Sequence, residues 1–214
     1  MRKAGTPPLA RKAPRYANGM ANRVCLSTTK SEYSFSLVNI VNLFSLHRYY
    51  SPIDMINLYF IGSAGSGKSS LTGAFLGWMQ RQGYDVVTVN LDPGIENSPY
   101  VPDVDIREWI KLDDIMEDYS VGPNGAQIIA ADMLALNINE MKEIIESFET
   151  EYVIFDTPGQ MELFTLRQSG KVLVDSFGAN NSMIGFLYDP VVSKIPSGFV
   201  TLKLQGASVH VRFN

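Results

Sequence analysis

A glycine-rich segment at residues 62–69 constrains this chain more than any other part of its sequence. It reads Gly-Ser-Ala-Gly-Ser-Gly-Lys-Ser and matches the pattern G-x-x-x-x-G-K-[ST] at every fixed position. Apolar residues 56–61 before it predict a buried strand, and an apolar period near 3.6 predicts a helix over 69–81. A strand, a glycine-rich loop and a helix, in that order, are the context in which this pattern binds phosphate. We therefore predict a phosphate-binding loop here; the alternative is an ordinary glycine-rich turn.

The residue types in this loop suit the phosphates of a nucleoside triphosphate. Glycines allow positive φ, so that several backbone N–H groups can converge on phosphate oxygens, and the following helix adds positive charge at its N-terminus. Lys68 is predicted to reach the β- and γ-phosphates, and the Ser69 hydroxyl is predicted to bind Mg²⁺. The predicted nucleotide-binding residues of the loop are Gly62, Ser63, Ala64, Gly65, Ser66, Gly67, Lys68, Ser69 and Ser70.

From Met55 onward, apolar strands alternate with helical stretches. The further predicted strands are 85–91, 151–156 and 183–188, and the further predicted helices are 126–148 and 163–177. Residues 106–119 can hold one or two helices, and 198–209 can form a helix or a strand. Strands separated by helices predict right-handed crossovers. The fold class is therefore α/β, a P-loop NTPase with a mostly parallel sheet and helices on both faces.

Two of the predicted strands end in carboxylates that could meet the loop. Asp92 follows strand 85–91, and Asp156 ends strand 151–156. Because the carboxyl ends of strands in an open α/β sheet form the ligand crevice, Ser69, Asp92 and Asp156 are the predicted Mg²⁺-binding residues, and Asp92 could instead hold the attacking water. Gly159 can offer its N–H to a γ-phosphate, and Gln160 can orient a water. The alternatives are a capping role for Asp92 and a simple Pro-Gly turn before Gln160.

Composition excludes several other kinds of site. The single cysteine rules out a disulfide within one chain, and the two histidines lie outside any zinc-ligand spacing. The net charge of -4 argues against a general nucleic-acid binder. The longest apolar run of the front segment, 35–46, is too short to span a bilayer. We therefore expect a cytoplasmic protein with no membrane or direct nucleic-acid partner.

Residues 1–54 differ in charge from the rest of the chain. They hold eight Lys/Arg and two Asp/Glu, whereas the remainder holds ten and twenty. Early prolines indicate an unstructured arm. This basic extension could anchor an acidic partner, but we favour upstream sequence translated before a natural start at Met55, which leaves residues 55–214 as the nucleotide-binding domain.

The segment Gly122-Pro123-Asn124-Gly125 is by itself only a turn signature. Its neighbours make it informative, because from Met55 onward the chain resembles the GPN-loop GTPases, most of all the archaeal members. The segments that carry the resemblance are 62–69, 90–93, 99–100, 103–107, 122–125 and 156–164.

The resemblance implies a slow Mg²⁺-dependent homodimeric GTPase that converts GTP to GDP and phosphate. Each loop formed by Gly122, Pro123 and Asn124 would enter the partner's site, where Asn124 would meet the phosphates or the attacking water. Partition ATPases carry a lysine early in the phosphate loop that reaches the partner's nucleotide, and this chain has Ser63 at that position. A trans role for Asn124 agrees with the absence of that lysine. A switch or assembly role, with RNA polymerase as a possible partner, is an analogy with eukaryotic relatives.

The chain departs from the family at its C-terminal end. Family members read guanine with Asn-Lys-x-Asp after a stretch resembling residues 208–213, and here the sequence ends at Asn214. The prediction that the ligand is GTP and not ATP therefore rests on the resemblance alone. The sheet is expected to lack a strand and the helices after it, which leaves an apolar edge exposed. The alternatives to a GTPase are a non-catalytic partner-binding fragment and an ATP-using P-loop protein.

Overall fold

The computed structural model describes residues 55–213, so the predictions for residues 1–54 lie outside the described part of the chain. The strands are β1 (Ile56–Gly62), β2 (Val86–Asn90), β3 (Val104–Asp105), β4 (Tyr152–Asp156) and β5 (Ser182–Leu187). The α-helices are α1 (Lys68–Arg81), α2 (Leu112–Asp118), α3 (Pro123–Glu146), α4 (Met161–Thr165), α5 (Gln168–Ser176) and α6 (Pro196–Phe213).

The five strands form one sheet in the order β3-β2-β4-β1-β5, and every neighbouring pair is parallel. Strands β1, β2 and β4 are buried along their whole length. They read as continuous apolar runs because helices cover both of their faces. The predicted α/β class with a parallel sheet is confirmed.

Each face of the sheet has its own apolar layer. On one face, Phe75 and Met79 of α1 pack against Leu58, Phe60 and Ile154. On the other face, a larger layer includes Ala130, Leu134 and Met141 of α3 and Leu173 of α5. Tyr59 of β1 stacks on Phe155 of β4 within this layer, with 4.5 Å between the ring centroids. The prediction of helices on both faces is therefore also confirmed.

One strand was missed, and two local predictions were wrong. The two-residue strand β3 is too short to leave a periodic signal. The predicted helix 163–177 is two helices, α4 and α5, which meet so closely that a Cβ on Gly170 would clash with the Phe164 carbonyl oxygen. Residues 122–125 begin a helix instead of forming a turn before one, with Gly122 as the N-cap and Pro123 in the first turn of α3.

Strand β5 forms an outer margin of the sheet in the described residues. Its first five residues are only half-buried. A cavity of about 260 Å³ lies between β5 and α6, lined in part by Ile184, Phe186 and Val209. A half-buried outer strand agrees with the expected exposed edge, while the absence of a further strand stays a prediction. Among residues 55–213, no helix combines the length and apolar character needed to cross a bilayer.

Candidate functional site

The glycine-rich loop connects β1 to α1, as predicted from the sequence. Gly65 and Gly67 have φ values of 76° and 92°, in the left-handed region that favours glycine. At Gly62 a Cβ would lie 2.7 Å from the Leu187 carbonyl oxygen, so the close approach of β5 also requires glycine there. The backbone of this segment is therefore free to turn its N–H groups toward an anion at the start of α1.

The other predicted loop residues divide into exposed and buried positions. The exposed ones are Ala64, Gly65, Gly67 and Ser70. The hydroxyl oxygens of Ser63 and Ser66 are buried and have no hydrogen-bond partner among residues 55–213. Unpartnered buried hydroxyls are uncommon in proteins. They mark the inner wall of the loop as a place where polar ligand atoms would be accommodated.

Lys68 lies inside the loop, with a relative exposure of only 6%. Its ammonium group donates hydrogen bonds to the carbonyl oxygens of Gly62 and Ser63, both at 3.0 Å. Burial lowers the pKa of Lys68 below its usual value, and Asp156 and Asp92 oppose this shift. The Lys68 ammonium group is thus held at the loop by neutral carbonyl oxygens. Phosphate oxygens could take their place and would accept stronger, charge-assisted hydrogen bonds.

Asp156 ends β4 and is fully buried. Its Oδ2 accepts a hydrogen bond from the Tyr100 hydroxyl at 3.1 Å, whereas Oδ1 accepts none from the described residues. Burial raises the pKa of this carboxyl, while the nearby Ser69 hydroxyl, the Tyr100 hydroxyl and the charge of Lys68 oppose the rise. A buried carboxylate oxygen without a partner, next to a serine hydroxyl, suits a hard cation that binds oxygen.

The Mg²⁺ prediction therefore fits Asp156 and Ser69. Residues 55–213 contain no group of three or more His, Cys, Asp or Glu side chains arranged for a metal.

Asp92 is engaged by backbone N–H groups of two loops. Its Oδ1 accepts the Gly94 N–H and its Oδ2 accepts the Gly159 N–H, both at 2.9 Å. Both carboxylate oxygens are thus engaged by backbone, and the Gly159 N–H that was predicted to meet a γ-phosphate already has an acceptor. The structure brings Asp92 and Gly159 together, and their hydrogen bond connects the loop after β2 to the loop after β4.

Gln160 also has a partner that the sequence did not indicate. Its amide nitrogen donates to the side-chain oxygen of Gln127 at 2.7 Å. Gln127 lies on α3, one turn after Asn124, and lines the same cleft as Asp92 and Gly159. The sequence signal that could have identified Gln127 was its position three residues after Asn124, because residues i and i+3 share a helix face.

The predicted trans loop lies at the surface. Gly122, Pro123 and Asn124 are all exposed at the start of α3. No hydrogen bond in the described residues connects the Asn124 side chain to Lys68, Asp156 or Gln160 of the same chain. In the described part of the chain, Asn124 is therefore exposed and makes no side-chain hydrogen bond to these three residues.

The loop between β2 and β3 is fixed by its own side chains. Asp103 accepts hydrogen bonds from the N–H and the hydroxyl of Thr88, each at 2.8 Å. Asp105 accepts from Asn90 at 3.0 Å and pairs with Arg107, which in turn donates to the Ile95 carbonyl oxygen. Two of the segments that carried the resemblance, 90–93 and 103–107, therefore stabilise the wall of the site.

Comparisons with known proteins place these residues in a family. A family model described as "Conserved hypothetical ATP binding protein" matches residues 60–214. The protein named GPN-loop GTPase PAB0955, from Pyrococcus abyssi, is 36% identical over 155 residues, which are 72% of this chain and 61% of that protein. GPN-loop GTPase 3 of Schizosaccharomyces pombe is 44% identical over 104 residues, 49% of this chain and 38% of that protein.

One solved structure is similar over most of the described chain. It is titled "PAB0955 crystal structure: a GTPase in Apo form from Pyrococcus abyssi", and it has a TM-score of 0.66 at 34% identity. The similarity covers 74% of this chain and 63% of that chain. The chain belongs to the GPN-loop GTPase family. As a member of this family it spans about three fifths of the length of the archaeal relative and under two fifths of the fungal one.

Proposed function

We propose that this GPN-loop family member binds GTP with Mg²⁺ and hydrolyses it slowly to GDP and phosphate, as a cytoplasmic switch or assembly factor. The observation that carries the proposal is the grouping of Lys68, Ser69 and the unpartnered Asp156 Oδ1 at the glycine-rich loop. This is the set of groups that phosphoryl transfer requires, because its catalysis consists mainly of positioning and charge stabilisation.

Each residue has a distinct role in this proposal. Lys68 and the backbone N–H groups of 62–69 bind the β- and γ-phosphates. Ser69 and Asp156 hold the cation, which when bound would neutralise charge on the phosphate oxygens. Gln160 orients the attacking water. When nucleotide binds, the Gly159 N–H donates its hydrogen bond to the γ-phosphate instead of to Asp92. This change frees Asp92 to accept a hydrogen bond from a water.

The choice of base rests on the names of the relatives. The matching family model is described as ATP-binding, whereas the named relatives are GTPases. A phosphate-binding loop does not distinguish bases, so we propose GTP from the relatives alone. Equilibrium titration of the full chain with GTP and with ATP checks this choice; an equal or tighter dissociation constant for ATP would replace GTP by ATP in the proposal.

We propose further that the active form is a homodimer in which Asn124 acts on the partner's nucleotide. Its support is the exposure of residues 122–124 at the start of α3, where a second copy of the chain could reach them. Asn124→Ala should leave GTP affinity within about twofold and lower kcat by ~10-fold or more, as expected for loss of one hydrogen-bond donor to developing charge.

A mixing experiment separates action in trans from action in cis. Lys68→Ala should abolish nucleotide binding but still supply Asn124, whereas Asn124→Ala binds nucleotide but lacks the amide. If Asn124 acts in trans, mixing and re-equilibrating the two inactive variants restores about a quarter of wild-type activity, because half of the C2 dimers carry one intact site of two. No recovery in a mixture shown to contain heterodimers contradicts the trans role.

A second candidate is a non-catalytic fragment that binds a partner. It is favoured by the engagement of both Asp92 oxygens with backbone N–H groups. A ligand that binds only the native state must stabilise it. Absence of any rise in melting temperature with saturating GTP and Mg²⁺ would therefore support the fragment and contradict the GTPase.

A further inference from the structure

Tyr100 makes a contact with the candidate site that the proposed roles do not use. It lies in the loop between β2 and β3, directly after Pro99, and only 9% of it is exposed. Its hydroxyl donates a buried hydrogen bond of 3.1 Å to Oδ2 of Asp156, a residue 56 positions away in the sequence. The other oxygen of the same carboxylate is the one without a partner among residues 55–213.

The backbone around Tyr100 is held in place by local hydrogen bonds. The Ser98 hydroxyl donates to the Tyr100 carbonyl oxygen at 2.6 Å and accepts from the Tyr100 N–H at 3.4 Å. Three residues further on, the Asp103 N–H donates to the carbonyl oxygen of Thr88 in β2 at 3.0 Å. The backbone is therefore held by hydrogen bonds both before and after Tyr100 in the chain.

The side of Tyr100 rests on α1, the helix that begins at the phosphate loop. A Cβ on Gly73 of α1 would lie 3.5 Å from both the Pro99 carbonyl oxygen and the Tyr100 Cβ. The hydroxyl thus reaches Asp156 from a segment fixed to β2 and packed on α1. Such support gives the hydrogen bond a defined direction before any ligand binds.

We propose that Tyr100 is a positioning residue for the Mg²⁺ site. Its hydroxyl holds Oδ2 of Asp156 and thereby leaves Oδ1, in one fixed orientation, for the cation or for a water bound to it. The inference rests on the proposed function, because it assigns a further residue to the same site. Groups that hydrogen-bond to metal-ligating carboxylates fix the ligand's orientation, and their loss weakens metal binding about 10–100-fold.

A purely structural role is the competing explanation. Tyr100 would then only satisfy a buried carboxylate, and its loss would disturb the fold and nucleotide binding with or without metal. The two explanations differ in one quantity, the Mg²⁺ concentration that gives half of the metal-dependent tightening of GDP.

The test uses the full chain with Tyr100→Phe, which removes only the hydroxyl, and with Tyr119→Phe as the matched control. Tyr119 is 56% exposed and lies at the end of α2. A fluorescent GDP analogue is titrated in EDTA and then at a series of buffered Mg²⁺ concentrations. Direct Mn²⁺ binding, followed by the loss of the free-ion electron paramagnetic resonance signal, gives a second readout that requires no turnover.

The expected result is a Mg²⁺ midpoint raised about tenfold or more in Tyr100→Phe, with Mn²⁺ affinity reduced in parallel. The dissociation constant for GDP in EDTA should stay within about twofold of wild type, and Tyr119→Phe should match wild type throughout.

Three results would overturn the inference. An unchanged Mg²⁺ midpoint in Tyr100→Phe removes the positioning role and leaves the proposed GTPase intact. A Tyr100→Phe protein that does not fold, or that does not bind GDP in EDTA, makes the residue structural. A wild-type protein that binds GDP without any response to Mg²⁺ removes the Mg²⁺ part of the proposed function, and the inference with it.

Discussion

The centre of the sheet and its β5 margin are built from similar apolar residues but differ in how completely they are buried. The central strands β1, β2 and β4 are buried throughout; β1 ends at Gly62, β4 ends at Asp156, and Asp92 lies two residues after the end of β2. At the margin, β5 is half-buried, and α6 buries only Leu202 and Val209. Leu204 and Val211 of the same helix are exposed by 66% and 78%.

The candidate site therefore lies at the ends of the buried central strands and not at the half-buried strand β5. Apolar side chains stabilise in proportion to the area removed from water, so a residue of β5 contributes less than its counterpart in β4. The groups proposed to bind phosphate lie at the ends of these fully buried strands. We therefore expect changes at the loop to affect ligand binding most, changes in β4 to affect stability most, and changes in β5 to do less of either.

The largest effect is expected for Lys68→Ala. Loss of the ammonium group should weaken GTP binding by roughly 100-fold or more, because a charge-assisted contact to phosphate typically contributes several kcal/mol. Fluorescence titration with a labelled nucleotide measures this. Lys171→Ala is the control, since Lys171 forms an exposed i,i+4 ion pair with Asp175 on α5. Wild-type affinity in Lys68→Ala would separate this loop from nucleotide binding.

The comparison of strands is tested by Ile154→Ala and Ile184→Ala. Ile154 in β4 has no exposed surface, whereas Ile184 in β5 is half-buried. The first should cost about 3 kcal/mol of unfolding free energy and the second about 1 kcal/mol, because only the first leaves an enclosed cavity. Urea denaturation of the full-length variants gives both values. Equal losses would show that the margin is covered as well as the centre is.

The buried charge of Asp156 predicts a pH effect on stability. Because burial raises its pKa in the folded chain, the folded state holds this proton where the unfolded chain, near 3.8, has lost it. The stability that the protonated carboxyl contributes is therefore lost as pH rises through the folded pKa. Asp156→Asn should melt ~2–5 °C above wild type at pH 8 without nucleotide, with a smaller difference at pH 5.

The same Asp156→Asn variant should lose the tightening of GDP by Mg²⁺, since an NH2 group replaces one carboxylate oxygen and the negative charge proposed to bind the cation is lost. Calorimetry at the two pH values and a GDP titration with and without Mg²⁺ check the two halves of the prediction. Higher stability of wild type than of Asp156→Asn at pH 8 would show that the ionised carboxylate is compensated in the free protein.

The smallest effect is expected at Gln127. Gln127→Ala removes an exposed hydrogen bond to Gln160 and should lower kcat about two- to fivefold, with KM unchanged, because Gln160 loses orientation but not its amide. Steady-state kinetics measure this. Asn137→Ala is the control on the same helix, where the amide donates to the Met133 carbonyl oxygen at 2.9 Å. A change in KM alone would assign Gln127 to substrate binding instead.

Local sequence patterns predicted the central sheet well and the margin poorly. Strands β1, β2 and β4 are continuous apolar runs and leave a clear signal, as does the loop pattern of residues 62–69. Residues 198–209 stayed ambiguous between helix and strand, and form part of α6. In this segment apolar and polar residues follow no single period strongly enough, so its contacts with β5 and α5 decide its conformation.

The sequence by itself determined the parallel α/β fold, the glycine-rich loop with Lys68, and the acids at the ends of β2 and β4, because each depends on residue types at fixed local spacing. Only the tertiary structure decided that Tyr100 holds Asp156, that Asp92 accepts the Gly159 N–H, and that Gln127 holds Gln160. Each of these contacts joins residues 33 to 67 positions apart. No local pattern encodes such a pair, since the order of the strands in the sheet sets which loops meet.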